Sequence, residues 1–295
     1  MSKRGSAMCD HHSHSHTPSI NAVLRQDPTR TLTIRNRFEA ENKRRWGRVL
    51  KRLREFMAQA PLLMTNEEFD FPTGPLQTAT VLDFLNEAVR TEVIDPKEAG
   101  RVLREKGAQP TPGNWVEGYL YSSYKKGVRR AESEVNKRLP KGNKVGLMEG
   151  ALKRKNHQDK LTQILGRVYT DLDNVTEAME AGIRREIALG LEGGEGTEKI
   201  AKRIEGRVEK IGRTRSKVIA RTEVIRSHHV ANIATYREAG VEGVVVQAEF
   251  STAGDQRVCP ECEALEGKRY TVTEIENVIP VHPNCRCVAL PIVTL

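Results

Sequence analysis

The sequence predicts an α+β protein: a predominantly helical body with a small C-terminal subdomain that contains β-strands and cysteines. Apolar residues recur at three- and four-residue steps through most of the chain before Gly240, the period of helices that bury one face. After Gly240 the period becomes an alternation, and four of the five cysteines follow it. Composition agrees. Of 295 residues 38% are hydrophobic, 5% aromatic and 29% charged, a balance that favours long amphipathic helices and excludes a dense all-β core.

Residues 1–30 are rich in Ser, Thr and His with almost no apolar periodicity, and read as a disordered tail. Its His11, His12, His14 and His16, near Cys9, are weak ligands for a transition metal. Nothing nearby preorganises them, so a solvated tail is the expectation.

A helical region follows over 31–140. Phe38, Trp46, Val49, Leu50, Leu53, Phe56 and Met57 mark a helix from Ile34 to Ala60, which Pro61 helps to end. Val81, Leu82, Leu85 and Val89 mark a second from Thr78 to about Val93. A short turn through Ala99, Val102 and Leu103 and a break at Gln109–Gly113 are expected next. Trp115 to about Leu139 forms another helix, its aromatics at core spacing.

A long-helix region is expected over 147–240. Leu161, Ile164, Leu165, Val168, Leu172, Val175, Met179, Ile183 and Ile187 form a seam close to heptad spacing. The glycines at 190, 193, 194 and 196 end it. Thr197 then caps a short helix with Ile200 and Ile204, and a separate helix spans Arg213 to Ala239, where Gly240 is the stop. His228 and His229 lie within its pattern and read as packing or surface residues. The β subdomain occupies 241–295. Val244, Val246, Ala248 and Phe250 alternate as a half-buried strand; Tyr270–Thr273 and Val288–Val293 are further strands, Pro291 requiring an edge or an end.

The formal net charge of +9 is unevenly distributed. Arg35 to Arg54 holds nine basic residues against two acidic ones, and Lys199 to Arg226 ten against three. Glu238 to Glu276 reverses the sign, with nine acids against three bases. Basic patches of this density attract a polyanion or an acidic protein surface. Lys43, Arg44, Arg45, Arg48, Lys51 and Arg52 are the candidate nucleic-acid contacts, through phosphates and without sequence readout. No stretch approaches the roughly 20 apolar residues of a membrane span. The N-terminus lacks the apolar run of a secretory signal. A soluble protein made inside the cell, with no membrane partner, is the expectation.

The cysteines pair as Cys259-Pro260-Glu261-Cys262 and Cys285-Arg286-Cys287. A CxxC turn points both sulfurs one way, and positions i and i+2 of an extended segment share a face. Together they suit one tetrahedral, structural Zn²⁺ site, with His282 as alternate ligand. Reducing surroundings favour metal or free thiols; an oxidising exterior would favour disulfides. Four thiolates close the shell, so catalytic zinc is not expected.

The succession Ile219-Ala220-Arg221-Thr222-Glu223, Tyr236 with Gly240-Val241, Asp255 to Cys262, Leu265-Glu266-Gly267-Lys268 and Ile279 to Cys287, with its His282-Pro283-Asn284-Cys285-Arg286-Cys287 ending, resembles the phage Mu F-like head morphogenesis family. The resemblance runs over about Leu161 to Val293. It implies a minor capsid protein of a tailed phage or prophage, at the portal vertex inside the head, assembled in the host cytoplasm. Its implied role is capsid assembly, DNA packaging or genome delivery, and its implied partners are portal protein, major capsid or scaffolding protein and packaged double-stranded DNA. Some relatives carry fused toxin or enzyme domains; none is expected after Leu295. Arg221 and Glu223 read as ion-pair or packing residues, and Gly267 as a turn residue with positive φ.

No catalytic residue is assigned and the chain is expected not to be an enzyme. The alternative is a nuclease or hydrolase using Asp255, His282 and Arg286. A zinc-stabilised DNA-binding regulator is a weaker one.

Overall fold

The computed structural model describes residues 27–59, 75–94, 115–147, 150–241 and 245–294. Residues 1–26 of the expected tail, the turn at Ala99–Leu103 and the break at Gln109–Gly113 lie outside the described residues; residues 27–30 are ordered instead, because Asp27 accepts from the Leu32 N–H at 2.8 Å and from Arg35 at 2.8 Å, and Thr29 is buried. The elements are α1 (Leu32–Gln59), α2 (Pro75–Val89) continuing into a π-helical turn (Arg90–Ile94), α3 (Trp115–Arg138), a 3-10 turn (Ala151–Lys153), α4 (Lys155–Glu192) and α5 (Thr197–Val241). Then come β1 (Val245–Ser251), the four-residue α6 (Pro260–Glu263), β2 (Arg269–Thr271), α7 (Val272–Ile275) and β3 (Val288–Thr294). The fold is α+β. No described helix is long and apolar enough to cross a membrane.

The apolar seam of α4 is the spine of the first core. Leu161, Ile164, Leu165, Val168, Leu172, Val175, Met179 and Ile183 are all buried, in one cluster with Phe38, Val49 and Leu53 of α1, Leu120 and Val128 of α3, and Val208 and Val224 of α5. The α4–α5 turn is tight: Gly194 takes φ 62, and the Glu195 N–H reaches the Gly190 carbonyl at 2.8 Å.

The expected break between two helices after Thr197 is not there. A single 45-residue helix runs through Gly206 and Gly212. Glycine disfavours a helix interior by about 1 kcal/mol, but Ile204, Val208 and Ile219 stay buried across the stretch and tertiary packing prevails. Gly212 also has a packing role, since a Cβ there would sit 3.1 Å from the Trp46 Cβ and 3.3 Å from the Met179 Cε.

Small residues bring α3 and α5 together. The Ser123 hydroxyl donates to the Val224 carbonyl at 2.7 Å, and Ser227 returns the contact to the Leu120 carbonyl at 2.8 Å. Each exchange satisfies a buried hydroxyl, as close helix approach requires.

His228 and His229 are both buried at this level of α5. His229 Nε2 lies 3.0 Å from the Ile275 carbonyl, and its N–H ties α5 to α7. Burial, only partly offset by the Ile275 and Glu276 carbonyls, holds His229 down to about 4. Burial, with Arg130 as the next cause, holds His228 well below its ordinary value. Both enter the fold neutral. Below about pH 6.5 the unfolded chain binds protons that the folded chain does not, so stability falls as pH drops from 6.5 towards 4. For His229 alone that gap corresponds to on the order of 3 kcal/mol. Urea midpoints should fall steadily between pH 7 and pH 4, and His229→Gln should remove part of the slope, His228 keeping the rest.

The sheet is antiparallel in the order β2-β1-β3, with Val245 opposite Thr294, Ser251 opposite Val288 and Gln247 opposite Thr271. Val246, Ala248 and Phe250 face inward as the alternation predicts. They pack on Val135 of α3 and on Ile233 and Tyr236 of α5, forming a second core that includes Cys262, Cys285 and Cys287. Pro291 falls in an edge strand, as its missing N–H demands. β2 is shorter than the expected Tyr270–Thr273. Thr271 ends it by capping α7: its Oγ1 accepts from the Glu274 N–H at 3.2 Å, while Glu274 Oε2 accepts from the Thr271 N–H at 2.8 Å.

Candidate metal centre

Two short segments face each other beside the sheet. Cys259 caps α6 with Pro260 in the first turn, and the Cys262 N–H points at Cys259 Sγ, 3.4 Å away. Opposite, Cys285 N–H bonds the His282 carbonyl at 3.1 Å, closing a turn in which Asn284 has φ 64. The Asn284 N–H donates to Thr222 Oγ1 on α5 at 3.1 Å, so the family-motif threonine anchors this loop.

His282 Nε2 lies 3.1 Å from Cys259 Sγ and 3.2 Å from Cys262 Sγ. Its Nδ1 is 2.8 Å from the Pro283 carbonyl and donates to it, which leaves the Nε2 lone pair facing the sulfurs. An outer hydrogen bond of this kind orients ligating histidines. Cys259, Cys262 and His282 form one group of mutually close donors; Cys262, Cys285 and Cys287 form a second. Cys262 belongs to both. All four cysteines are free.

The thiols compete for charge. Hydrogen bonding from Cys287, the largest influence, brings Cys285 down to about 5. Burial and the neighbouring Cys285 push Cys262 up to about 12, and Cys287 is held far above an ordinary thiol by its bond to Cys285 and by burial. Three sulfurs this close do not all ionise unaided. A bound dication turns their mutual repulsion into attraction, so the cluster can bind a metal; soft thiolate donors with one imidazole fit a borderline-soft ion.

Asp255 and Arg286 meet at the rim. Arg286 Nη1 and Nη2 each donate to one Asp255 oxygen at 2.6 Å, and Arg257 adds a third contact at 2.9 Å. The Arg286 hydrogen bonds, working against burial, hold the Asp255 carboxyl well below the usual carboxylate range. This fork fixes the peptide between Cys285 and Cys287 to the loop after β1. Of the alternative catalytic grouping, Asp255 and Arg286 are brought together, while the contacts of His282 are with Cys259, Cys262 and the Pro283 carbonyl. Asp255→Ala leaves a largely buried guanidinium without its carboxylate and should cost about 2–3 kcal/mol. The check is thermal melting beside Asp255→Asn, which keeps one acceptor and should lose less.

Residues 181–290 match the family described as Phage Mu protein F like protein. The chain carries a phage Mu F-like region. The match supports a phage head morphogenesis protein, a class that is generally structural. The Mu F-like region starts within α4, later than the Leu161 boundary read from the motifs, and takes in α5, both cysteine segments and the start of β3. No curated protein and no solved structure matches the chain.

The remaining motif residues of the Mu F-like region hold its parts together. Arg221 and Glu223 do not pair with each other: Arg221 Nε lies 3.5 Å from Glu39 of α1, and buried Glu223 accepts from Arg226 at 3.1 Å. Burial raises Glu223 above its ordinary value. Gly267 takes φ 73 in the β1–β2 connection, where a Cβ would have no atom within 4 Å, so its need is backbone conformation.

The six α1 candidates for nucleic acid all have acidic partners within the chain. Arg48 lies 2.6 Å and Arg52 3.7 Å from Glu92, and Arg45 caps the Glu92 carbonyl at 2.9 Å while its guanidinium covers the Trp115 ring at 4.4 Å. Lys43, Arg44 and Lys51 pair along α1 with Glu39, Glu41 and Glu55. Sequence reading missed Glu92, which sits 44 residues from Arg48 and carries no local signal. It also missed Asn284, for which a non-glycine positive φ left no trace in the sequence pattern.

Proposed function

We propose that this chain is a minor capsid protein of a tailed phage or prophage, placed at the portal vertex inside the head and acting in assembly, packaging or genome delivery. The match over residues 181–290 carries the reading, because it takes in α5, the cysteine segments and the loop that Thr222 anchors. Portal protein, major capsid or scaffolding protein, and packaged DNA are its partners, and the acidic C-terminal unit serves as the protein-facing part. A structural Zn²⁺ would be held by four of Cys259, Cys262, His282, Cys285 and Cys287. When bound it supplies cross-linking between the α6 turn and the segment leading into β3, with no open coordination position. The chain's own residues supply the rest: Asp255 and Arg286 orient the second cysteine pair, and Thr222 ties it to α5.

The test is a nonsense mutation in this chain, complemented in trans. Without the protein, infected cells should yield heads that are misassembled or fail to fill or deliver DNA, and complementation should restore them. An unchanged yield of infectious particles would contradict the proposal.

A further inference from the structure

The second basic stretch behaves differently from α1. On α5 the residues Lys199, Arg203, Lys210, Arg213, Lys217 and Arg221 follow one another at steps of three, four or seven, which at 3.6 residues per turn places them on a single stripe. Lys199, Lys210, Arg213 and Lys217 are exposed. Among the described residues Lys210, Arg213 and Lys217 form no ion pair, and Lys199 forms none either although it lies near Glu195. Arg203 at one end is held by Glu195 and Glu186, and Arg221 at the other leans on Glu39.

From Lys199 to Lys217 the stripe extends about 27 Å. Its one uncharged step is Gly206, where nothing lies within 4 Å of a Cβ position. A protein partner would want apolar or aromatic anchors among the charges. The exposed large hydrophobic residues among the described ones are Leu32 and Leu189, and neither belongs to the stripe. A straight row of cations without anchors fits a partner whose charge is uniform and dense. Duplex DNA, with one charge per about 1.7 Å of axis, is such a partner.

We infer that this α5 stripe, and not the basic face of α1, is the surface that contacts the phosphate backbone of double-stranded DNA. The inference rests on the proposed function insofar as it takes packaged DNA as a partner, and it adds which face meets it. The geometry gives the protein polarity: the stripe lies towards the α4–α5 turn, and the acidic, cysteine-bearing unit follows the opposite end of the same helix.

The experiment is fluorescence anisotropy of the full chain with a random-sequence 30-base-pair duplex, from 50 to 300 mM salt. Three proteins are compared: the parent, a stripe variant (Lys199→Gln, Lys210→Gln, Arg213→Gln, Lys217→Gln) and an α1 variant (Lys43→Gln, Arg44→Gln, Lys51→Gln). All seven positions are solvent-facing, and matched melting curves confirm intact folds. The parent should bind with a steep salt slope. The stripe variant should bind at least tenfold more weakly and lose about 3–4 from that slope, near 0.9 for each phosphate contact removed. The α1 variant should match the parent. A stripe variant that binds like the parent, or an α1 variant that loses as much, overturns the inference but leaves a DNA-contacting head protein standing. A parent that binds no DNA at 50 mM salt, or prefers an acidic polypeptide, removes DNA as the partner altogether. The complementation result then decides the capsid role separately.

Discussion

Cys262→Ser is expected to release the proposed zinc and melt the C-terminal unit while the helical body stays folded. Cys262 is the donor common to both groups of close ligands, and it is buried in the second core beside Ile275 and Ile279. Without it, Cys259 with His282 and Cys285 with Cys287 remain as separate pairs, and no three donors stay mutually close. A structural zinc carries roughly 10–16 kcal/mol of apparent binding energy at neutral pH, comparable with the entire stability of a typical domain, about 5–15 kcal/mol. Cys259→Ser and Cys287→Ser each leave one three-donor group intact, so both should keep metal with weakened affinity. Metal analysis of tag-free protein reads the difference. One zinc per chain in Cys262→Ser would show that the two groups do not share a single ion through this sulfur.

Gly127→Ala should cost about 3 kcal/mol, and its sign is the informative part. A Cβ at Gly127 would lie 2.4 Å from the His228 carbonyl oxygen and 2.7 Å from the Ala231 Cβ. Both neighbours belong to the α5 backbone or are fixed to it, so α3 and α5 must separate along a crossing held by the Ser123 and Ser227 bonds. At Gly118 and Gly206, also inside α3 and α5, nothing lies within 4 Å of the added carbon. There the same substitution follows helix propensity and should stabilise by up to about 1 kcal/mol. Urea unfolding of the three variants provides the comparison, and equal effects would remove the close-approach explanation.

What the sequence made legible was local. The α4 seam announced its helix because its burial period is written in consecutive residues from Leu161 to Ile183. The cysteine cluster was visible because its members are near in sequence and chemically unusual; the facing of His282 towards Cys259 and Cys262 needed the turn that Asn284 makes. The break expected between Ile204 and Arg213 misled, because burial of Ile204, Val208 and Ile219 carries one helix through Gly206 and Gly212. The basic face of α1 has partners that the sequence did not show. Counting charge along the helix gave a surface for polyanions, but Glu92, distant in sequence, takes Arg48 and Arg52 into the fold. On the α5 stripe Lys210, Arg213 and Lys217 form no ion pair among the described residues, whereas Arg48 and Arg52 of α1 meet Glu92 from a distant part of the chain.

The role in the head is tested most directly by quantitative mass spectrometry of density-purified, DNA-filled heads, with portal protein as the internal standard. This chain should be present in those heads, in amounts comparable with portal protein and far below the major capsid protein. Its absence from purified heads, with the full amount left free in the lysate, would contradict a place in the virion.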